Sequence, residues 1–290
     1  MNMQKVRSLI ILFLLALNLV LLAFNWERDN RYKITAEQES AIVEVLKQNN
    51  IMLYTYMVDE FYPLSQIEMQ SSTNDPDEMS SIFFDTPPVW ESDPNDDKTV
   101  MTQDGKRLTI YLQDRNGFLF ENADGTGHIT LNKASAENAC QELLERINTP
   151  ALNLKLDKVI PNEEEGYYTV EYRTNFEEHV IYSSVARFRV TEEGVVQLRC
   201  VFFEPDRYTE DIREIRSADE ALYALSQELK SVYPSADAIK IDQMDVVFGI
   251  EDTVVDAKTV VDAEPFYRIY ISDRPEQPFL INAYTNIVLK

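Results

Sequence analysis

SADEALYALSQELKSV (217–232), followed by IKIDQMDVVFG (239–249), FYRIYIS (266–272), PFLINAY (278–284) and NIVLK (286–290), reads as one helix and then a series of strands. In the first segment Ala221, Leu222, Leu225 and Leu229 recur at helical spacing and make one face apolar. The later segments are short, rich in β-branched and aromatic residues, and separated by turn residues. The same order occurs about 80 residues upstream. Ser135-Ala136-Glu137 opens a helix over about 136–148 with Ser135 as its expected N-cap. LNLKLDKVI (152–160), YYTVEYRT (167–174), VIYSSVARFRV (180–190) and VVQLRCVFF (195–203) follow it. YYTVEY matches FYRIYI in position, and ARFRVTEEGVVQLR matches FLINAYTNIVLK. The repeat predicts an α+β fold with two units, 133–210 and 211–290, each a helix covering one face of an antiparallel meander.

Working toward the N-terminus, residues 34–132 read as a further α+β region. Thr35-x-x-Gln38 is a capping box for a helix over about 36–48, and IMLYTYM (51–57) reads as a strand. Residues 71–97 hold eight Asp/Glu, no Lys or Arg, and prolines at 76, 87, 88 and 94. Such a segment is expected to be flexible, with Ile82-Phe83-Phe84 pinned as a short strand. Strands resume at Thr99–Gln103 and Arg107–Leu112 around an Asp104-Gly105 hairpin turn. Phe118–Phe120 precedes another turn at Asp124-Gly125.

The first 33 residues set the location. Lys5 and Arg7 lie in a short tail (1–7), and LIILFLLALNLVLLAF (9–24) follows. At ~1.5 Å per residue, residues 8–26 reach roughly 28 Å, close to the ~30 Å hydrocarbon core of a bilayer. Ala23-Phe24-Asn25-Trp26 offers no small-x-small cleavage site, so the span reads as a retained signal anchor. The basic tail places the N-terminus in the cytoplasm and the remainder outside the cell. Asn18 is the polar residue inside the apolar run. Intramembrane amides pair across helices for about 0.6 to 2 kcal/mol, but a lone Asn can also bond its own backbone.

Charge excludes several functions. Residues 34–290 carry 22 basic and 48 acidic side chains, a net of −26, which repels nucleic acid. Seven glycines form no phosphate-binding loop. His128 and His179 fall in different regions, and no zinc-ligand cluster or G-x-S-x-G nucleophile motif occurs. Neither DRNG (114–117) nor NADGTG (122–127) completes a calcium loop. No catalytic residue, metal or cofactor is therefore expected. Cys140 lies on the apolar helix stripe Ala136, Ala139, Cys140, Leu143, Leu144, Ile147, and Cys200 alternates with Val196, Leu198 and Phe202 on one strand face. Both can face one core as free thiols, with a disulfide as the alternative in an oxidising compartment. The tyrosines and phenylalanines of the meanders, such as Tyr172 and Phe266, read as sheet core.

A short basic tail, one leucine-rich anchor with Asn18, ITAEQESAIVEVLKQNNI (34–51) and helix-plus-meander units together resemble the YycI family. These are membrane-anchored regulators encoded with the YycFG/WalRK cell-wall two-component system of Gram-positive bacteria, and YycH is their larger relative. The last unit also resembles a PepSY domain, whose final hairpin reads as an aromatic strand and then V-D-A-x-T-G-x-V. Ile281-Asn282-Ala283-Tyr284-Thr285-Asn286-Ile287-Val288 stands in that place, with Asn282 for the Asp and Asn286 for the Gly. Asn suits a turn that needs a left-handed residue. The resemblance implies a non-catalytic regulator whose partners are a sensor histidine kinase and a YycH-like membrane protein, engaged through residues 8–26 and the ectodomain. A tethered PepSY-type protease inhibitor or ligand-sensing module is the alternative.

Overall fold

The computed structural model describes residues 3–71, 74–92, 98–111, 117–233, 238–251 and 260–289. Helix α1 (Met3–Arg31) contains the apolar stretch. Within it Ile10–Glu27 has mean hydropathy 2.1 and none of it is buried by the rest of the protein. This is the one helix among the described residues long and apolar enough to cross a membrane. Helix α2 (Ala36–Gln48) follows after four intervening residues, behind the capping box read from the sequence. Thr35 Oγ1 accepts from the Gln38 amide at 3.2 Å, and Gln38 Oε1 accepts from the Thr35 amide at 2.9 Å. Strand β1 (Ile51–Leu53) covers only the start of the expected 51–57 strand.

Then come β2 (Leu64–Ser71) and α3 (Pro76–Phe83). Residues 82 and 83 are thus the end of a helix, and Phe84 its C-cap, in place of the expected strand. The local signal outweighs the β-branched and aromatic run. Asp75 caps the helix by accepting from the Asp77 and Glu78 amides at 2.9 and 3.1 Å, and Pro76 fits the first turn. One helical turn then brings Met79 and Phe83 to the same buried face, so part of the acidic segment is folded into the core. The rest of the segment expected to be flexible, at 72–73 and 93–97, and most of DRNG (114–117) lie outside the described residues.

Strands β3 (Val89–Ser92), β4 (Lys98–Gln103), β5 (Lys106–Tyr111) and β6 (Gly117–Asn122) form an antiparallel run. Asp104 and Gly105, at φ 47° and 77°, make the expected hairpin turn. Helix α4 (Lys133–Ile147) begins two residues before Ser135. Its N-cap is Asn132, and Ser135 closes the box from the third helical position. The first meander is β7 (Leu154–Asn162), β8 (Tyr167–Phe176), β9 (His179–Thr191) and β10 (Gly194–Val201). After β11 (Phe203–Arg213) come α5 (Ala218–Val232), β12 (Ile239–Gly249), β13 (Val260–Ile271), β14 (Phe279–Asn282) and β15 (Val288–Leu289). The fold is α+β, and both helix-plus-meander units are present in the expected order.

The pairing of strands was not expected. All fifteen strands among the described residues join one sheet along β11-β2-β13-β12-β9-β10-β6-β5-β4-β3, with the others branching from it. The stretch assigned to a separate region at 34–132 is distributed over both units. Strand β6 extends the first meander through β10. Strand β1 pairs in parallel with β12, and α2 packs beside α5. Strand β2 lies between β11 and β13. One core places α4 against β7 to β10, including Cys140, Leu144, Phe188 and Leu198. A second holds Ile42, Leu46, Leu222, Leu225, Ile269 and Ile281. Each fully buried leucine there contributes about 1.5–3 kcal/mol. A third, smaller core (Ile67, Met69, Ile181, Phe203, Phe248) spans the units.

Candidate functional site

Two features set this chain apart from a plain pair of sheet domains: the junction of α1 with the second unit, and a buried charge network between the units.

At the junction, α1 does not end in a slack linker. The Ile34 amide donates to the Asp59 carbonyl at 2.8 Å, and the Phe61 amide donates to the Tyr32 carbonyl at 2.9 Å. Lys33 pairs with Glu60 at 2.8 Å, which raises the Lys33 amine above its ordinary value. Arg31 and the Tyr32 hydroxyl both reach Glu214, at 3.1 and 3.3 Å. The Tyr32 ring meets Phe61 edge-on and Tyr62 at a tilt. The exposed ion pairs are worth little alone, but the backbone bonds fix the chain direction on both sides of Lys33. Asn18 lies in the middle of α1, exposed.

The network has Arg268 at its centre. Its strand neighbour Asp245 accepts from Nε at 2.9 Å and from an Nη at 2.6 Å, while the other Nη reaches Asp157 of the first unit at 2.7 Å. Asp157 also accepts from Arg173 Nε at 2.9 Å. Arg173 continues to Glu171 at 2.9 Å and to the Tyr182 carbonyl, and Glu171 accepts from Arg187 Nε at 2.6 Å. Arg268, Arg173, Glu171 and Asp157 are all buried or nearly so. Asp157 reaches the centre because the β7–β8 register slips between Leu156 and Lys158, a bulge that re-aims the side chain. Burial pushes the Asp157 carboxyl up, but Arg268 and Arg173 outweigh it and the net direction is down. For Arg268 burial works against the charge, and Asp245 with Asp157 reverses this to leave it firmly protonated. Lys158 sits over the Tyr270 ring, and burial, then Arg268, brings its amine down to about 8.

Chemically the network holds rather than transfers. Its guanidiniums are permanently protonated donors and its carboxylates are acceptors already engaged. Further cross-unit bonds run from the Ile250 amide to Ser183 Oγ at 2.9 Å and from Thr169 to Glu276 at 3.3 Å. These charges were not singled out in the sequence. The available signal was Arg268 in the middle of FYRIYI, flanked on both sides by residues that bury.

Cys140 and Cys200 are both buried in the first core as free thiols, so the bridge kept as an alternative is not formed. A bridge needs the two sulfurs turned toward each other, whereas the Cys140 thiol donates along its own helix to the Ala136 carbonyl at 3.2 Å. Burial pushes the Cys140 thiol up to about 12 and Cys200 well above its ordinary value. His128 is exposed in the loop after β6, and His179 packs against Phe248, which lowers it through burial. Among the described residues no group of three His, Cys, Asp or Glu has metal-binding geometry. The final hairpin bears out the turn reading: Asn286 is left-handed at φ 61°, and Asn282 Oδ1 accepts from the Tyr284 and Thr285 amides at 2.9 and 3.1 Å.

No protein-family model and no curated protein matches this chain. An uncharacterized protein from Eubacterium rectale has a similar solved structure, with TM-score 0.51 at 11% identity, covering 83% of this chain and 91% of that one. The C-terminal domain of Bacillus megaterium YpeB aligns at TM-score 0.40 and 12% identity, over 76% of this chain and 97% of that chain. The first similarity shows the fold alone. Fold and junction together define an α+β protein with one N-terminal helix long and apolar enough to span a membrane.

Proposed function

We propose that this protein is a non-catalytic, single-pass membrane regulator of a sensor histidine kinase, of the YycI kind, with its N-terminus in the cytoplasm and residues 34–290 outside the cell. The helix at residues 8–26 packs against the kinase's transmembrane bundle, with Asn18 as its polar contact, and the ectodomain docks a YycH-like partner. One observation carries the reading: the anchor is joined to the second unit through paired backbone bonds at Tyr32–Phe61 and Ile34–Asp59. A simple tether has no use for such a joint. A joint of this kind lets an event on the ectodomain bias the packing of α1, by no more than its differential affinity for the two packings.

The test is a detergent pull-down of the full-length chain from its native membrane, beside a version whose residues 6–26 are replaced by an unrelated span. A histidine kinase and a YycH-like protein recovered only with the native helix support the proposal. Recovery of a protease with both versions, and of no kinase with either, makes the protein a tethered inhibitor instead.

A further inference from the structure

The two helices over the second unit, α2 and α5, leave a groove of about 590 Å³ between them. Its walls are apolar in the middle, where Ala41, Ile42 and Val45 of α2 face Tyr223 and Ala224 of α5. Tyr223 remains 54% exposed although it lies in this wall. The end of the groove nearest the start of α5 is different: Asp219, Glu220 and Asn286 line it. Glu220 accepts from Asn286 Nδ2 at 3.3 Å and lies 3.8 Å from Arg216. Among the described residues, Asp219 Oδ1 and Asn286 Oδ1 are buried and meet no hydrogen-bond partner. Two orphaned acceptors at one end of an apolar groove, one of them on the Asp219 carboxylate and both beside Glu220, call for a donor that carries positive charge.

We infer that this groove docks a peptide segment of a partner protein that presents an arginine or lysine next to a bulky aliphatic side chain. The basic group meets Asp219, Glu220 and Asn286, and the aliphatic group covers Val45 and Tyr223. The volume falls within the range of formed ligand sites, and an apolar helix face laid between two helices is an established mode of peptide capture. Charge argues against a second copy as the occupant, because residues 34–290 carry a net of −26 and would bring acid onto acid. The site is independent of the proposal for α1 and stands whether or not a kinase is the membrane partner.

The probe is a fluorescent leucine-rich helical peptide with arginine at one position, and its counterpart with glutamate there. Both are titrated by anisotropy against the full-length chain in zwitterionic nanodiscs, with empty nanodiscs as reference. Saturable binding of the arginine peptide is expected, weakened about tenfold by Asp219→Asn and by Tyr223→Ala. Asp262→Asn, an exposed acid on β13 outside the groove, should leave it unchanged. Circular dichroism checks that each variant stays folded. Equal binding of the two peptides, no saturable binding, or equal loss in Asp219→Asn and Asp262→Asn would overturn the inference.

Discussion

The two helix-plus-meander units share an order of elements but not a roof. The first has α4 over its meander with the short α3 in the same core, and the strands that extend its sheet come from 89–122. The second carries α5 and also α2 and β1, with α2 following α1 after four residues. The lesson is a division of labour: the second unit is joined to α1 through backbone bonds, and the first meets the second along a shared seam. Between them lies a seam of buried charge, whose bonds depend on angle and distance, beside a small apolar core.

Breaking the seam is expected to have the largest effect. Arg268→Ala leaves Asp157 and Asp245 without their shared cation, and should lower stability by about 3–5 kcal/mol in denaturant unfolding. Arg268→Met with Asp245→Leu removes the paired charges together, leaves Asp157 on Arg173, and should recover most of the loss. If the double variant is no better than the single, the seam is held by packing and not by compensation of charge. Within the second unit, Leu222→Ala opens a hole under α5 and should cost about 2–5 kcal/mol.

Acid titration sharpens the same comparison. Asp157 is depressed in the folded protein, so its stabilising contribution is complete above the unfolded carboxyl value of about 4. That contribution is lost as pH falls through the lower, folded value. Unfolding curves from pH 5 downward should therefore fall more steeply for the wild type than for Asp157→Asn. Lys158 acts at the other end. Its folded value of about 8 lies below its ordinary value, so a folding cost is present below pH 8 and fades as pH rises toward 10.5. The resulting rise in stability should be missing from Lys158→Met. The smallest effects are expected at the caps, where Asn132→Ala in the first unit and Thr35→Ala in the second should each cost about 0.5–2 kcal/mol by thermal unfolding.

Local elements were legible in the sequence where a period and a cap agreed. Helices α2 and α5 and strand β12 fall within the bounds read from Thr35-x-x-Gln38, the Leu222/Leu225/Leu229 stripe and IKIDQMDVVFG. Helix α3 was misread because Ile82-Phe83-Phe84 carries strand propensity, while the helix that includes it is started by Asp75-Pro76. The single sheet was hidden for another reason. Strand β2 pairs with β11 and β13 across more than a hundred residues, and neither partner marks the other in sequence. The seam was hidden by alternation itself. Glu171 and Arg173 interleave with Val170 and Tyr172, a pattern that reads as a solvated face until a second unit covers it.

The joint at Tyr32–Ile34 is the point on which the functional reading turns. Four Gly/Ser residues inserted between Arg31 and Tyr32 leave α1 and both units intact but cut the helix loose from the backbone bonds to Asp59 and Phe61. The decisive measurement is kinase autophosphorylation in proteoliposomes containing the kinase recovered with the native helix, with the intact chain or with the insertion. Coupling through the joint requires that the intact chain change the rate and that the insertion abolish most of that change while the two proteins still co-purify. An effect on the kinase that survives the insertion undiminished would contradict it.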